Sequence, residues 1–194
     1  EMKRPPSDQE KDIALDCVSA MLGARTLDAS LMGVLQTIGA YYRADRVYTL
    51  MLVENRHAVV MTFEWTDGRK RSIQQAVSGM QLERFPLLKQ CMAERTPLFL
   101  TRQSPADPED RDGRGQPWHF TVFPLIREPQ QPVVGFLCIE NARKHPSDAA
   151  LFGTLIPFML QQRERFSGEE RPSAAAERLM GLPDLRAYME ALYS

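Results

Sequence analysis

The chain has 194 residues, of which 43% are apolar, enough for one domain with extensions and too many for a disordered tail. Lys plus Arg number 24 against 25 for Asp plus Glu. The resulting net charge of −1 excludes nucleic acid as the main partner, because phosphate binding needs a basic surplus, and gives no attraction to an anionic membrane. No apolar run approaches the roughly 20 residues of a membrane span, so a cytoplasmic location without membrane contact is expected.

Ser7-Asp8-Gln9-Glu10 reads as a capping box, and Ile13, Cys17, Met21 and Ala24 follow at helical spacing, which predicts a helix over 8–24. A second helix is predicted over 27–43, where Leu27, Leu31, Val34, Leu35, Ile38, Tyr41 and Tyr42 form a wide apolar stripe. The period then changes. Arg46–Val53 and Ala58–Trp65 are rich in strand formers and are joined by the polar Glu54–His57, and Asp67-Gly68 closes the pair with a turn signal.

A helix over 81–95 would face Leu88, Cys91 and Met92 inward, with Pro86 tolerated only near its first turn or as a kink. Leu98–Leu100 is a short strand. Residues 101–117 hold Pro, Gly, Asp and Arg and almost nothing apolar, as in a long functional loop. Strands over 118–126 and 133–140 form a hairpin through Glu128–Gln131. A last core helix is expected over 148–166, kinked at Pro157, with Gly168 and Pro172 breaking the pattern before another helical stretch near Ser173. The order predicts an α+β domain with a central antiparallel sheet of five or six strands, N- and C-terminal helices on one face, and loops and short helices over the other.

Few residues point to catalysis. His57, His119 and His145 have no partner at zinc spacing, and no Gly-rich phosphate loop occurs. Asp107–Gly113 resembles a calcium loop only superficially, because Pro108 and His119 fall where carboxylates are required. Cys17, Cys91 and Cys138 lie far apart among apolar residues and are expected to be buried free thiols. No catalytic residue, metal or cofactor is therefore expected. Trp65 ends one strand and Trp118 opens another beside the long loop; they can wall a small-molecule pocket or serve as core residues.

Ala44-Asp45-Arg46-Val47-Tyr48, continuing to Phe63-Glu64-Trp65, resembles the first hairpin of GAF domains. Val122-Phe123-Pro124-Leu125 resembles that family's penultimate strand. Gly135-Phe136-Leu137-Cys138-Ile139-Glu140-Asn141 resembles its last strand, with Cys138 in place of a small residue and Glu140 in place of Asp. The resemblance spans about residues 8–166 and divides the chain into an N-terminal helix (1–25), a sensory domain (26–166) and a linker with the start of a second module (167–194).

Leu179-Met180-Gly181-Leu182-Pro183, continuing through Asp184-Leu185-Arg186-Ala187-Tyr188, is similar to the opening of GGDEF domains, the diguanylate cyclase module. Met180, Asp184 and Leu185 depart from its pattern. The two resemblances imply a small-molecule sensor at the front of a signalling protein, governing a GGDEF-like domain in cis and forming homodimers through its terminal helices. The implied ligand-binding residues are Tyr48, Phe63, Glu64, Trp65, Trp118, Phe120 and Glu140, with the 101–117 loop closing over Trp65 and Trp118. Two alternatives stand beside this one. The domain could be a ligand-free dimerisation module, or a reductase of free methionine sulfoxide, an activity some members of the family have and one that needs cysteines on pocket loops.

Overall fold

The computed structural model describes residues 8–103, 117–146 and 149–169. Helices α1 (Asp8–Gly23) and α2 (Leu27–Tyr42) lead into strand β1 (Arg46–Val53), a 3-10 turn (Glu54–Arg56) and β2 (Ala58–Thr66). A one-turn helix α3 (Gln74–Val77), a two-residue β3 (Met80–Gln81) and a 3-10 turn (Leu82–Arg84) precede α4 (Pro86–Glu94). Strands β4 (Leu98–Gln103), β5 (Pro117–Leu125) and β6 (Gly135–Glu140) follow, then α5 (Ala150–Glu169).

The strands form one six-stranded sheet in the order β3-β2-β1-β6-β5-β4, antiparallel at every pairing. Strand β1 is buried at all eight positions, which explains why its sequence lacks an apolar-polar alternation: both faces are covered. Val47 and Met51 point to one side and pack with Phe123, Leu137 and Ile139 against α1, α2 and α5. Tyr48, Leu50 and Leu52 point to the other and pack with Val122, Phe136 and Cys138 against Leu82 and, in α4, Leu88 and Cys91. We call these the helix face and the distal face.

The element boundaries follow local chemistry. Thr26 caps α2 by accepting the Ala29 N–H at 3.1 Å, and Arg43 ends it in the left-handed region at φ 48°. Pro86 takes the first position of α4, where its missing N–H costs nothing, so the helix predicted from 81 starts later, after a 3-10 turn. α5 carries Pro157 in its interior and reaches Glu169, three residues beyond the predicted end, while Pro172 and the helical stretch expected near Ser173 lie outside the described residues. Gly135 opens β6 where a Cβ would stand 2.3 Å from the Leu50 carbonyl oxygen, so only glycine fits this approach to β1.

Two elements went unpredicted. α3 buries no residue and β3 has two, so neither leaves a periodic trace. Both finish the edge of β2: β3 pairs only with Ala58 and Val59, and beyond it Ser78 Oγ accepts the Met61 N–H while Gln74 Nε2 donates to the Met61 carbonyl, each at 3.1 Å. Of the 101–117 loop, Thr101–Gln103 belong to β4 and Pro117 to β5. Residues 104–116, Ser7 of the capping box, Ser147-Asp148 and the Leu179–Tyr188 segment lie outside the described residues. Among the described residues no helix is long and apolar enough to cross a membrane.

A buried charge cluster on the distal face of the sheet

Three consecutive residues of a strand cannot share a face. Phe63, Glu64 and Trp65 are sorted by a β-bulge: Thr49 pairs with Phe63 but Leu50 with Met61, which leaves Thr62 as the extra residue. Val59 and Met61 lie on the distal face, so simple alternation would have sent Phe63 and Trp65 there too. The bulge reverses the order, placing Phe63 and Trp65 on the helix face and Glu64 on the distal face.

On the distal face Glu64 meets Arg46, Tyr48 and Glu140. Arg46 is buried in the middle of the group. Its Nη1 donates to Glu140 Oε2 at 2.5 Å, and its Nη2 donates to the Arg71 carbonyl at 2.8 Å. Its Nε lies 3.0 Å from Glu64 Oε1, an ion pair by distance without the alignment of a hydrogen bond. Glu64 is instead bonded by the segment that follows β2: Ser72 Oγ donates to Oε2 at 2.5 Å and the Ile73 N–H to Oε1 at 3.0 Å. Tyr48 Oη donates to the other oxygen of Glu140 at 3.2 Å.

Burial raises the Glu140 carboxyl above its usual value, against the opposing pull of the Arg46 guanidinium. Burial likewise pushes the Tyr48 hydroxyl well above its ordinary value, helped by Cys138 and Glu140.

Two aromatic residues of β5 complete this face, while a third, Phe123, packs on the helix face. Trp118 and Phe120 are both partly buried and stack with centroids 5.5 Å apart and planes 12° from parallel. Phe120 pairs with Glu140 across β5 and β6, which sets the stack beside the charge cluster. Of the seven residues expected to bind ligand, the fold thus gathers Tyr48, Glu64, Trp118, Phe120 and Glu140 on one face. Phe63 and Trp65 are separated from them by the thickness of the sheet, so Trp65 and Trp118 do not face a common space.

Arg46 was missed as a site residue. The signal was present, since it is the one charged residue of the run RVYTLMLV, but a charge at a strand end ordinarily reads as solvent-facing. A second pairing lies just outside the sheet. Asp45, itself buried, accepts Asn141 Nδ2 at 3.0 Å and Arg143 Nη1 at 2.5 Å. Asp45-Arg46 and Glu140-Asn141 therefore lock together residue against residue across β1 and β6.

The three cysteines are free and buried, as expected. Burial pushes the Cys17 thiol up to about 11 and the Cys91 thiol up to about 12, and raises Cys138 well above its usual value. They are protonated thiols packed as small apolar groups.

The family model for the GAF domain matches residues 26–156, more than half of the chain. No curated protein matches the chain in sequence. Solved structures resemble it in fold at low identity. The GAF domain of an Acinetobacter phosphoenolpyruvate-protein phosphotransferase is 13% identical, with a TM-score of 0.55 over 84% of this chain and 96% of that one. The Neisseria meningitidis free methionine-R-sulfoxide reductase, solved with its substrate, is 13% identical, with a TM-score of 0.59 over 87% of this chain and 98% of that one. The phycoerythrobilin-bound GAF domain of a cyanobacterial phytochrome is 12% identical, with a TM-score of 0.56 over 86% and 100%.

Proposed function

The chain belongs to the GAF family, and from that premise we propose that it is a non-catalytic sensory domain that takes a small molecule on the distal face of its sheet. The observation that carries this reading is the charge cluster beside the Trp118–Phe120 stack. A buried ion pair adds little net stability, because desolvating its charges offsets their attraction. Four polar side chains sunk in an otherwise apolar face therefore call for another role. A ligand with a flat ring can lie on the stack while a donor on it donates to the Glu140 carboxylate, in competition with Arg46 and Tyr48. Occupancy would then redistribute the bonds that tie β1 to β6 and to the 71–73 segment. A ligand shifts such an equilibrium only by its differential affinity for the two arrangements.

The output in this reading is a GGDEF-like domain in cis, supported by the Leu179–Tyr188 resemblance, and the setting is the cytoplasm. Homodimerisation is supported by α1. Leu15 and Leu22 are 65% and 59% exposed and stand seven residues apart, as a seam for the same helix of a second copy requires. A non-catalytic role is supported by the thiols, none of which carries thiolate character.

Liquid chromatography and mass spectrometry of the small molecules released from natively purified protein test the reading. A compound retained by the wild type and lost from both Trp118→Ala and Glu140→Ala is expected. The same compounds in all three preparations, or none in the wild type, would overturn it.

A further inference from the structure

On the helix face a hollow of about 500 Å³ opens where the C-terminus of α2 meets the end of β2. Its floor is unusual. The Trp65 indole lies directly on the α2 backbone at Gly39, where a Cβ would stand 2.1 Å from indole Cζ3. Around it converge three arginines, Arg43, Arg69 and Arg143, with Asp67 as the one acidic lining residue.

These arginines differ in how far they are already used. Arg143 is held by Asp45 and by the Arg43 carbonyl, the latter at 3.2 Å, so its position is fixed by the fold. Arg69 lies 3.7 Å from Asp67 and is 82% exposed, a loose pair worth little. The Arg43 side chain is exposed and has no hydrogen bond or ion pair among the described residues. With Asp45 and Asp67 set against Arg143 and Arg69, one positive charge remains uncompensated at the mouth, in a chain whose total charge is −1.

We propose that this hollow binds an organic oxyanion, a compound with a carboxylate or phosphoryl head and a flat apolar body. Guanidinium groups match the planar fork of either head, and the volume exceeds what a bare inorganic ion fills while falling within the range of small-molecule sites, roughly 300 to 1,000 Å³. The head sits between Arg43 and the preset Arg143, with Arg69 swinging in, and the body lies on the exposed part of Trp65. The site is separate from the distal-face cluster. It bridges α2 to the turn after β2, so an occupant would fix the C-terminal end of α2 relative to the sheet.

Phenyl phosphate, benzoate and the neutral benzyl alcohol share one ring and differ in the head, and they separate the two sources of the anion. Each is titrated into nitrogen-15-labelled protein while the indole N–H resonance of Trp65 is followed; that resonance is assigned by its loss in Trp65→Phe. Saturable movement with one or both anions and none with the alcohol is expected, the stronger anion identifying the head. Arg43→Asn keeps the left-handed helix cap, which Asn tolerates, and is expected to weaken binding at least about tenfold. Arg69→Gln should weaken it less. A Trp65 resonance unmoved by both anions, an equal response to benzyl alcohol, or unchanged affinity in Arg43→Asn with an intact amide spectrum would overturn the proposal.

Discussion

Arg46 and Glu140 face each other across the central strands β1 and β6, and the guanidinium Nη1 lies 2.5 Å from the carboxylate Oε2. Both side chains are largely withdrawn from water, at 9% and 18% exposure, and Glu64 approaches the same guanidinium from β2 at 5%. One cation thus compensates two carboxylates at the junction of three strands.

Removing that cation should be far worse than removing either anion. Arg46→Ala leaves Glu64 and Glu140 buried side by side, and a loss of about 3–5 kcal/mol is expected from urea unfolding. Glu64→Gln, which keeps most of the shape and leaves Arg46 with Glu140, should cost less. Equal losses in the two variants would mean that Arg46 is not the common partner.

Glu140 gives a pH signature with a definite sign. Its carboxyl is raised in the folded state, so the fold binds that proton more tightly than the unfolded chain does. Its contribution to stability is therefore greatest below the unfolded value and is lost as pH rises through the raised folded value. The difference in Tm between wild type and Glu140→Gln, followed from about pH 4 to about pH 8, should shift toward the variant with rising pH. Carboxylates remote from the cluster cancel in that difference, and a flat profile would contradict the assigned burial effect.

Gly39 and Trp65 should behave as a coupled pair. Gly39→Ala gains helix propensity yet drives a methyl into the indole, and a net loss of about 1–3 kcal/mol is expected from thermal unfolding. In a Trp65→Leu background the same substitution should cost almost nothing or stabilise. Strict additivity of the two changes would rule out the contact.

All three cysteines should be silent in the native state. With thiols raised to about 11 and about 12 at Cys17 and Cys91, and higher than usual at Cys138, Ellman's reagent at about pH 8 should label none before denaturant and three after it. Rapid labelling of the folded protein would show that one of them is open to solvent.

The helix α1 seam predicts an assembly state. Leu15→Glu with Leu22→Glu should convert a dimer to a monomer in sedimentation experiments and abolish the concentration dependence of Tm, while the monomer keeps its helix content by circular dichroism because neither side chain is buried within the chain. A monomeric wild type would remove this use of the two leucines.

The helices and long strands were legible in the sequence because each covers its neighbours with a repeating apolar pattern: α2 shows eight buried positions and β1 is apolar on both faces. The antiparallel sheet followed from short polar connections such as Glu128–Gln131. α3 and β3 were not legible, since a four-residue helix with no buried residue and a two-residue strand carry no period. In the site, Tyr48, Phe120 and Glu140 could be chosen from the strands that carry them. The neighbours Phe63, Glu64 and Trp65 could not be divided between faces, because that division depends on a pairing irregularity at Thr62 which local sequence does not encode. Arg46 was hidden for a different reason: only tertiary structure shows that a charge at the start of a strand is capped by Glu64, Glu140 and Arg71.

The irregularity at Thr62 makes chain length in β2 count for more than residue type. The Thr62 hydroxyl lies 2.7 Å from that of the buried Thr49, so a residue without it would cost one hydrogen bond, whereas deleting the position would turn the last third of the strand inside out, driving Trp65 into the carboxylates' place and Glu64 beneath α2. Engineers grafting this hairpin onto another scaffold must preserve the residue count between Met61 and Phe63 before they consider which side chain stands there.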